Sequence, residues 1–157
     1  MAGAHVRIDN RLIHGQVTVA WTRRLGVRRL LVCNDDVAAD ELQQVLLPQA
    51  ARGLPTAVLS VAAALTVPLD GDVMIIAKDP GDAFRLVEGG LRPEVVNVGN
   101  VAPRPGTAYT MVTRSIAVTA DEAGAYRKLA AGVPLVTQLM PQDKPADFVP
   151  LLDRKGL

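Results

Sequence analysis

Val6-Arg7-Ile8-Asp9-Asn10-Arg11-Leu12-Ile13-His14-Gly15-Gln16-Val17 changes its period partway along. The first four residues alternate apolar and charged, the two-residue repeat of a strand. From His14 onward, Val17, Ala20, Trp21 and Leu25 fall at helical spacing, and Gly26 closes the run. A strand therefore feeds a helix through a short polar turn, the opening unit of an α/β chain. A histidine stands at or near the head of that helix, just past the C-terminal end of the strand. Free backbone N–H groups and the macrodipole make a helix head attractive to anions.

Outward from this stretch the same alternation continues. The patterns predict strands over 5–9, 28–34, 56–59, 72–77, 94–98, 116–118 and 133–140. They predict helices over 14–25, 37–52, 61–65, 83–88, 122–131 and 146–152. Asp35 or Asp36 is expected to cap the second helix, whose Leu42, Val45, Leu46 and Ala50 form an apolar face. Val73-Met74-Ile75-Ile76 is the most apolar strand and is expected near the sheet centre, while 116–118 is expected to pair antiparallel or at an edge. This succession implies an α/β fold in three layers, with a mostly parallel central sheet of about six to seven strands and helices on both faces. No break in composition appears, so a single domain over residues 1–157 is expected. In such sheets ligands gather beyond the carboxyl ends of the strands. The polar clusters Asp9 to His14, Asn34-Asp35-Asp36, Lys78-Asp79 and Gly99-Asn100 all fall there.

Composition narrows the function. Aromatics make up 3% of the chain and the net charge is +1, with no basic run, which argues against nucleic acid as partner. The lone Cys33 lies in an apolar run and reads as a buried small hydrophobe, in keeping with a reducing cytoplasm. No apolar stretch approaches the roughly 20 residues of a membrane span. There is no Gly-rich phosphate loop of the Walker or dinucleotide type, and no close pair of residues with metal-ligand spacing. Neither a cofactor nor a metal is expected.

What remains is the cluster around His14. Arg7, Asp9 and Arg11 recur at spacing two, and would share one side if the strand ran on to Arg11. A guanidinium offers a forked donor that fits phosphate oxygens. Asp9 can pair with either arginine or orient the imidazole. Two readings stay open on this pattern: a surface ion-pair cluster, or a phosphate-handling site in which His14 accepts a phosphoryl group. Gly15 would leave room for a partner, and Gln16 offers a hydrogen bond. Asp35, Lys78 and Asn100 are further candidates to line the site, and Trp21 reads as a core residue.

The segment Arg7-Ile8-Asp9-x-Arg11-Leu12-Ile13-His14-Gly15-Gln16-Val17, with Trp21 beyond it, resembles the active-site segment of the enzyme IIB components of the mannose/fructose/sorbose family of the bacterial phosphotransferase system. The resemblance runs on through Asn34-Asp35-Asp36-Val37-Ala38, Asp79-Pro80-Gly81-Asp82, Arg85-Leu86-Val87-Glu88-Gly89-Gly90 and Asn97-Val98-Gly99-Asn100. It implies a mostly parallel α/β fold and a phosphocarrier role. A phosphoryl group would pass from a IIA phosphohistidine to Nδ1 of His14, then to a sugar entering through membrane IIC and IID subunits. Arg11 would contact the phosphate, with Arg7 and Asp9 supporting, and no metal would be used. The IIA donor is expected to be a separate polypeptide, and the chain to be cytoplasmic and peripheral to a membrane transporter. Asn10 departs from the family, many members of which carry an acid there, and residues 102–114 fit less clearly. The competing expectations are an idle regulatory module on the same fold, and a hydrolase with His14 as base, for which no nucleophile or acid partner is apparent.

Overall fold

Six parallel strands and the helices between them carry the predicted alternation into the computed structural model, which describes residues 3–157. Strand β1 (His5–Asp9) leads into helix α1 (Gly15–Leu25), followed by β2 (Arg29–Cys33), α2 (Asp35–Ala39), α3 (Glu41–Ala50), β3 (Thr56–Leu59) and α4 (Val61–Ala64). Next come β4 (Val73–Ala77), α5 (Pro80–Glu88), β5 (Val96–Asn100), β6 (Thr110–Thr113), β7 (Ile116–Val118), α6 (Ala120–Ala130), β8 (Leu135–Thr137), β9 (Ala146–Asp147) and α7 (Val149–Arg154). The main sheet has seven strands in the order β3-β2-β4-β1-β5-β8-β9. All its pairings are parallel except β8 with the two-residue edge β9. β1 is thus the middle strand, and β4 lies beside it with every residue buried.

Two apolar layers hold the sheet. On one face Trp21, Val27, Leu30, Val32, Leu47, Val58, Met74 and Ile76 pack under α1 and α3. On the other, Val6, Ile8, Leu31, Ile75, Val96 and Val98 pack with Leu86, Tyr126, Leu129 and Leu152 from α5, α6 and α7. The pleat of β1 sends Val6 and Ile8 to the second layer, so Arg7 and Asp9 face the first. Two charged side chains are thereby carried into the covered middle of the sheet.

Several boundaries differ from the sequence reading. The helix expected over 37–52 is two helices. Asp40 is extended between them and its carboxylate accepts the Leu42 and Gln43 amides. Neither Asp35 nor Asp36 caps the first of these; Asn34 does, accepting the Val37 amide. The supposed apolar face of α3 points outward, with Leu42, Val45 and Leu46 exposed, and Leu47 is its buried residue. Residues 107–115, to which the sequence pattern assigns no element, contain β6, which pairs antiparallel with β7 in a separate ribbon. The final strand shortens to β8, and the start of the expected terminal helix is β9. No helix among the described residues is long and apolar enough to cross a membrane.

Candidate active site

β1 stops at Asp9, so Arg11 does not continue it. The chain turns instead: the Leu12 amide donates to the Asp9 carbonyl at 3.1 Å, and Leu12 takes a left-handed φ of 65°. A non-glycine residue in that region costs about 1 kcal/mol or more, a strain that tends to gather at functional turns. Leu12 and Ile13 are buried in the first layer and anchor the turn from below. Asn10 anchors it from the side. Its amide nitrogen donates to the Ala102 carbonyl and its oxygen accepts the Ala102 amide, both at 2.9 Å. An acid at this position retains the acceptor and loses the donor, so asparagine here has a structural task.

His14 is exposed at the N-cap of α1. Its backbone N–H donates to Thr18 Oγ1 at 2.9 Å, which fixes the residue while its ring faces outward. Gly15 follows with φ +47°, and a Cβ there would meet nothing within 4 Å. Conformation, more than crowding within this chain, accounts for the glycine. Gln16 is exposed. Helices α2 through α6 each carry a side-chain cap, from Asn34, Asp40, Ser60, Asp79 and Thr119. The head of α1 has none. The His14 amide is taken by Thr18 and the Val17 amide by the His14 carbonyl, so among the described residues the Gly15 and Gln16 amides keep their capacity to bind an anion arriving from solvent.

Asp9 is the hub of the arginines. Its carboxylate is 2% exposed and accepts three bonds from Arg11: the backbone amide at 3.0 Å, Nε at 3.3 Å and Nη2 at 3.3 Å. This two-pronged grip engages the inner edge of the guanidinium. Among the described residues the remaining Nη hydrogens on its outer edge have no acceptor, and the side chain is 27% exposed. Arg11 is thus held in plane and still has a fork to offer. Arg7 sits on the other side of Asp9, its Nε 3.6 Å from Oδ2. It is buried, and its Nη groups donate to the Gln138 and Leu139 carbonyls. Burial lowers its pKa to about 10, which leaves it charged near neutrality.

The other predicted members lie elsewhere. Lys78 lines a cleft of about 410 Å³ at the same carboxyl edge of the sheet, together with Asn10, Asn34, Asp36, Asp79 and Arg104. Asp35 is outside that lining; it accepts the Val61 amide at 3.0 Å and pairs with Arg85 at 3.1 Å. Those two contacts hold its carboxyl below the usual carboxylate range. Asn100 contributes its backbone carbonyl, which accepts the Asn10 amide at 3.0 Å. Trp21 is in the core as expected and does more: its indole N–H donates to the Leu139 carbonyl at 2.9 Å, and the Arg7 guanidinium lies 5.4 Å from its ring centroid.

Comparison with known proteins accords with this architecture. Residues 4–157 match the family described as PTS system sorbose subfamily IIB component. The chain belongs to that family. The IIB relatives include the sorbose-specific EIIB component of Klebsiella pneumoniae, 35% identical over 144 residues, with 87% of each chain covered. The mannose-specific EIIAB component of Escherichia coli K12 is 37% identical over 155 residues, spanning 94% of this chain and 47% of that protein. The chain therefore spans about half the length of the mannose-specific relatives it matches. Among solved structures, the IIBSor domain of the sorbose permease from Klebsiella pneumoniae has a TM-score of 0.88 at 31% identity, covering 98% of both chains.

Within this IIB fold, sequence reasoning assigned no bracing role to several groups around the cluster. Thr18, Asn97, Gly99 and the carbonyls of Gln138 and Leu139 all touch the cluster or its supports. Thr18 was legible in principle, as a polar residue one turn past a helix head. The carbonyl acceptors carry no side-chain signal at all.

Proposed function

We propose that His14 is the phosphoryl-carrying residue of this phosphotransferase-system component. The observation that supports this best is the pairing of an exposed imidazole at an uncapped helix head with a guanidinium whose inner edge is bound by Asp9 and whose outer edge is open. A neutral ring nitrogen of His14 attacks the phosphorus of a phosphohistidine on the IIA donor. The new N–P bond forms as the donor's N–P bond breaks, and the donor imidazole leaves with that electron pair. There is little covalent work for the protein beyond this; positioning and charge do the rest.

The three equatorial oxygens need donors that are already aimed. The first amides of α1 and the free Nη hydrogens of Arg11 are of the right kind. Asp9 keeps Arg11 from swinging and spares the reaction part of the cost of ordering it. In the second step a sugar hydroxyl attacks the phosphorus, its proton passes to solvent, and His14 is released. The sugar is presented by membrane IIC and IID subunits, with this chain docked at their cytoplasmic side. Nothing in the residues around His14 selects one sugar over another.

The test is direct. The chain is incubated with labelled phosphoenolpyruvate, the general phosphocarrier proteins and a IIA donor. The expected product is an acid-labile, alkali-stable label that His14→Ala abolishes. A label that survives in His14→Ala, or that resists acid, refutes the assignment.

A further inference from the structure

We propose that Arg7 is a positioning residue for phosphoryl transfer, one that locks the loop after β8 against the loop carrying His14, and that it never contacts the phosphate. The proposal rests on the reading of His14 as the carrier.

All of Arg7's donors face inward. The side chain is 4% exposed, with Nη1 on the Gln138 carbonyl at 3.1 Å and Nη2 on the Leu139 carbonyl at 3.2 Å. Nε makes no hydrogen bond and faces Asp9 Oδ2. The guanidinium fills the space above Gly99, where a Cβ would collide with Cζ and both Nη atoms. Turning this group toward a phosphate would strip two carbonyls of their donors and open a void against Gly99 and Trp21. Arg11 has its outer edge free and needs no such rearrangement.

The loop that Arg7 grips is built to be held. The Leu139 carbonyl takes a second donor, Trp21 Nε1, so β1, α1 and the β8 loop meet at one oxygen. Asn97 grips Gln138 from β5, donating to its carbonyl and accepting its amide, both at 3.0 Å. The Gln138 side chain then closes the loop by donating to the Pro141 and Asp143 carbonyls at 3.1 and 2.9 Å. Residues 138–143 thus form a preset wall at the carboxyl edge of the sheet, where β1 also ends. Through Asp9 the same arginine steadies the inner edge of Arg11. A displacement of about 1 Å at a transfer site costs on the order of 100-fold in rate, so such bracing has kinetic weight.

The experiment follows the arginine side-chain Nε–Hε resonances of the full chain before and after phosphorylation by its donor. The Arg11 resonance is expected to move and the Arg7 resonance to stay. An Arg7 shift as large as that of Arg11 overturns the proposal. A chain that takes up no phosphoryl group overturns the carrier reading, and the proposal with it, and is recognised by the missing phosphohistidine signal. Two variants separate positioning from mere stability. Arg7→Lys and the milder Trp21→Phe are expected to lower the saturating transfer rate about tenfold. The half-saturating donor concentration should be unchanged, and Arg7→Lys should displace the Arg11 resonance in the unphosphorylated protein. A folded Trp21→Phe with parental transfer rate, or a folded Arg7→Lys with a parental Arg11 resonance, refutes it.

Discussion

Arg11 and Asp9 divide the work at the cluster, and substitutions should separate them. Arg11 supplies a fork to an incoming phosphoryl group, so Arg11→Ala should slow labelling of His14 on the order of 100-fold, as loss of a preset donor to developing charge does. Arg11→Lys keeps the charge and loses the planar fork, and should recover only part of that rate. Single-turnover transfer from labelled donor reads both, and an Arg11→Ala chain that labels at the parental rate removes this residue from the chemistry. Asp9 acts differently, because it neutralises two cations in a site where it is itself 2% exposed. Asp9→Asn leaves the buried Arg7 without its counter-charge and should cost about 3 kcal/mol in urea unfolding, with transfer also impaired. The type and spacing of these residues were legible in the sequence. The asymmetry between the arginines was not, because it depends on carbonyls more than a hundred positions away, at Gln138 and Leu139.

Helix α3 shows where periodicity misleads. Leu42, Val45, Leu46 and Ala50 keep helical spacing with one another, and the pattern over 37–52 reads as one helix with one core face. Asp40 breaks it. Its carboxylate caps a new helix, and the restart turns the stripe outward, leaving Leu42 64% and Val45 57% exposed. An aspartate followed by glutamate is an N-terminal signal inside the predicted span. Leu42→Gln should therefore change stability by no more than about 0.5 kcal/mol. Leu47→Ala, five residues on and 6% exposed, should cost about 2–4 kcal/mol. Equal losses from the two would mean that the helix rotates its other face inward in solution. Strand β6, the antiparallel partner of the expected β7, was missed for a related reason: Thr110-Met111-Val112-Thr113 is a short run following a stretch rich in proline and glycine. By contrast, the parallel alternation was legible, and the apolar run Val73–Ala77 lies beside the middle strand, close to where its composition placed it.

One buried acid should leave a mark on the stability of the whole molecule. Asp82 sits in the first turn of α5, 5% exposed, and its Oδ2 accepts the Asn34 side-chain amide at 2.8 Å, joining the heads of α2 and α5. Burial raises its pKa from 3.8 to about 6, against the pull of that hydrogen bond. Cys33, fully buried and close enough to feel Asp82, is pushed up to about 12 for the same reason and is no nucleophile at neutral pH. The sign for Asp82 follows from proton binding. Folded chain keeps the proton up to about pH 6, whereas unfolded chain releases it near 3.8, so between those values the folded state binds the extra proton. Stability from this group is complete below the unfolded value and is lost as the pH rises through the folded one. The loss is about 2–3 kcal/mol, from the size of the shift at 1.36 kcal/mol per unit. Asp82→Asn cannot ionise, and its amide oxygen can still accept from Asn34. The difference in unfolding free energy between parent and variant should therefore slope across pH 4 to 6 and flatten above about pH 7, with the parent losing ground as the pH rises. Urea titrations at a series of pH values measure that difference directly. A flat difference would mean that water reaches the carboxylate and that the joint between the two helix heads is looser than its geometry indicates.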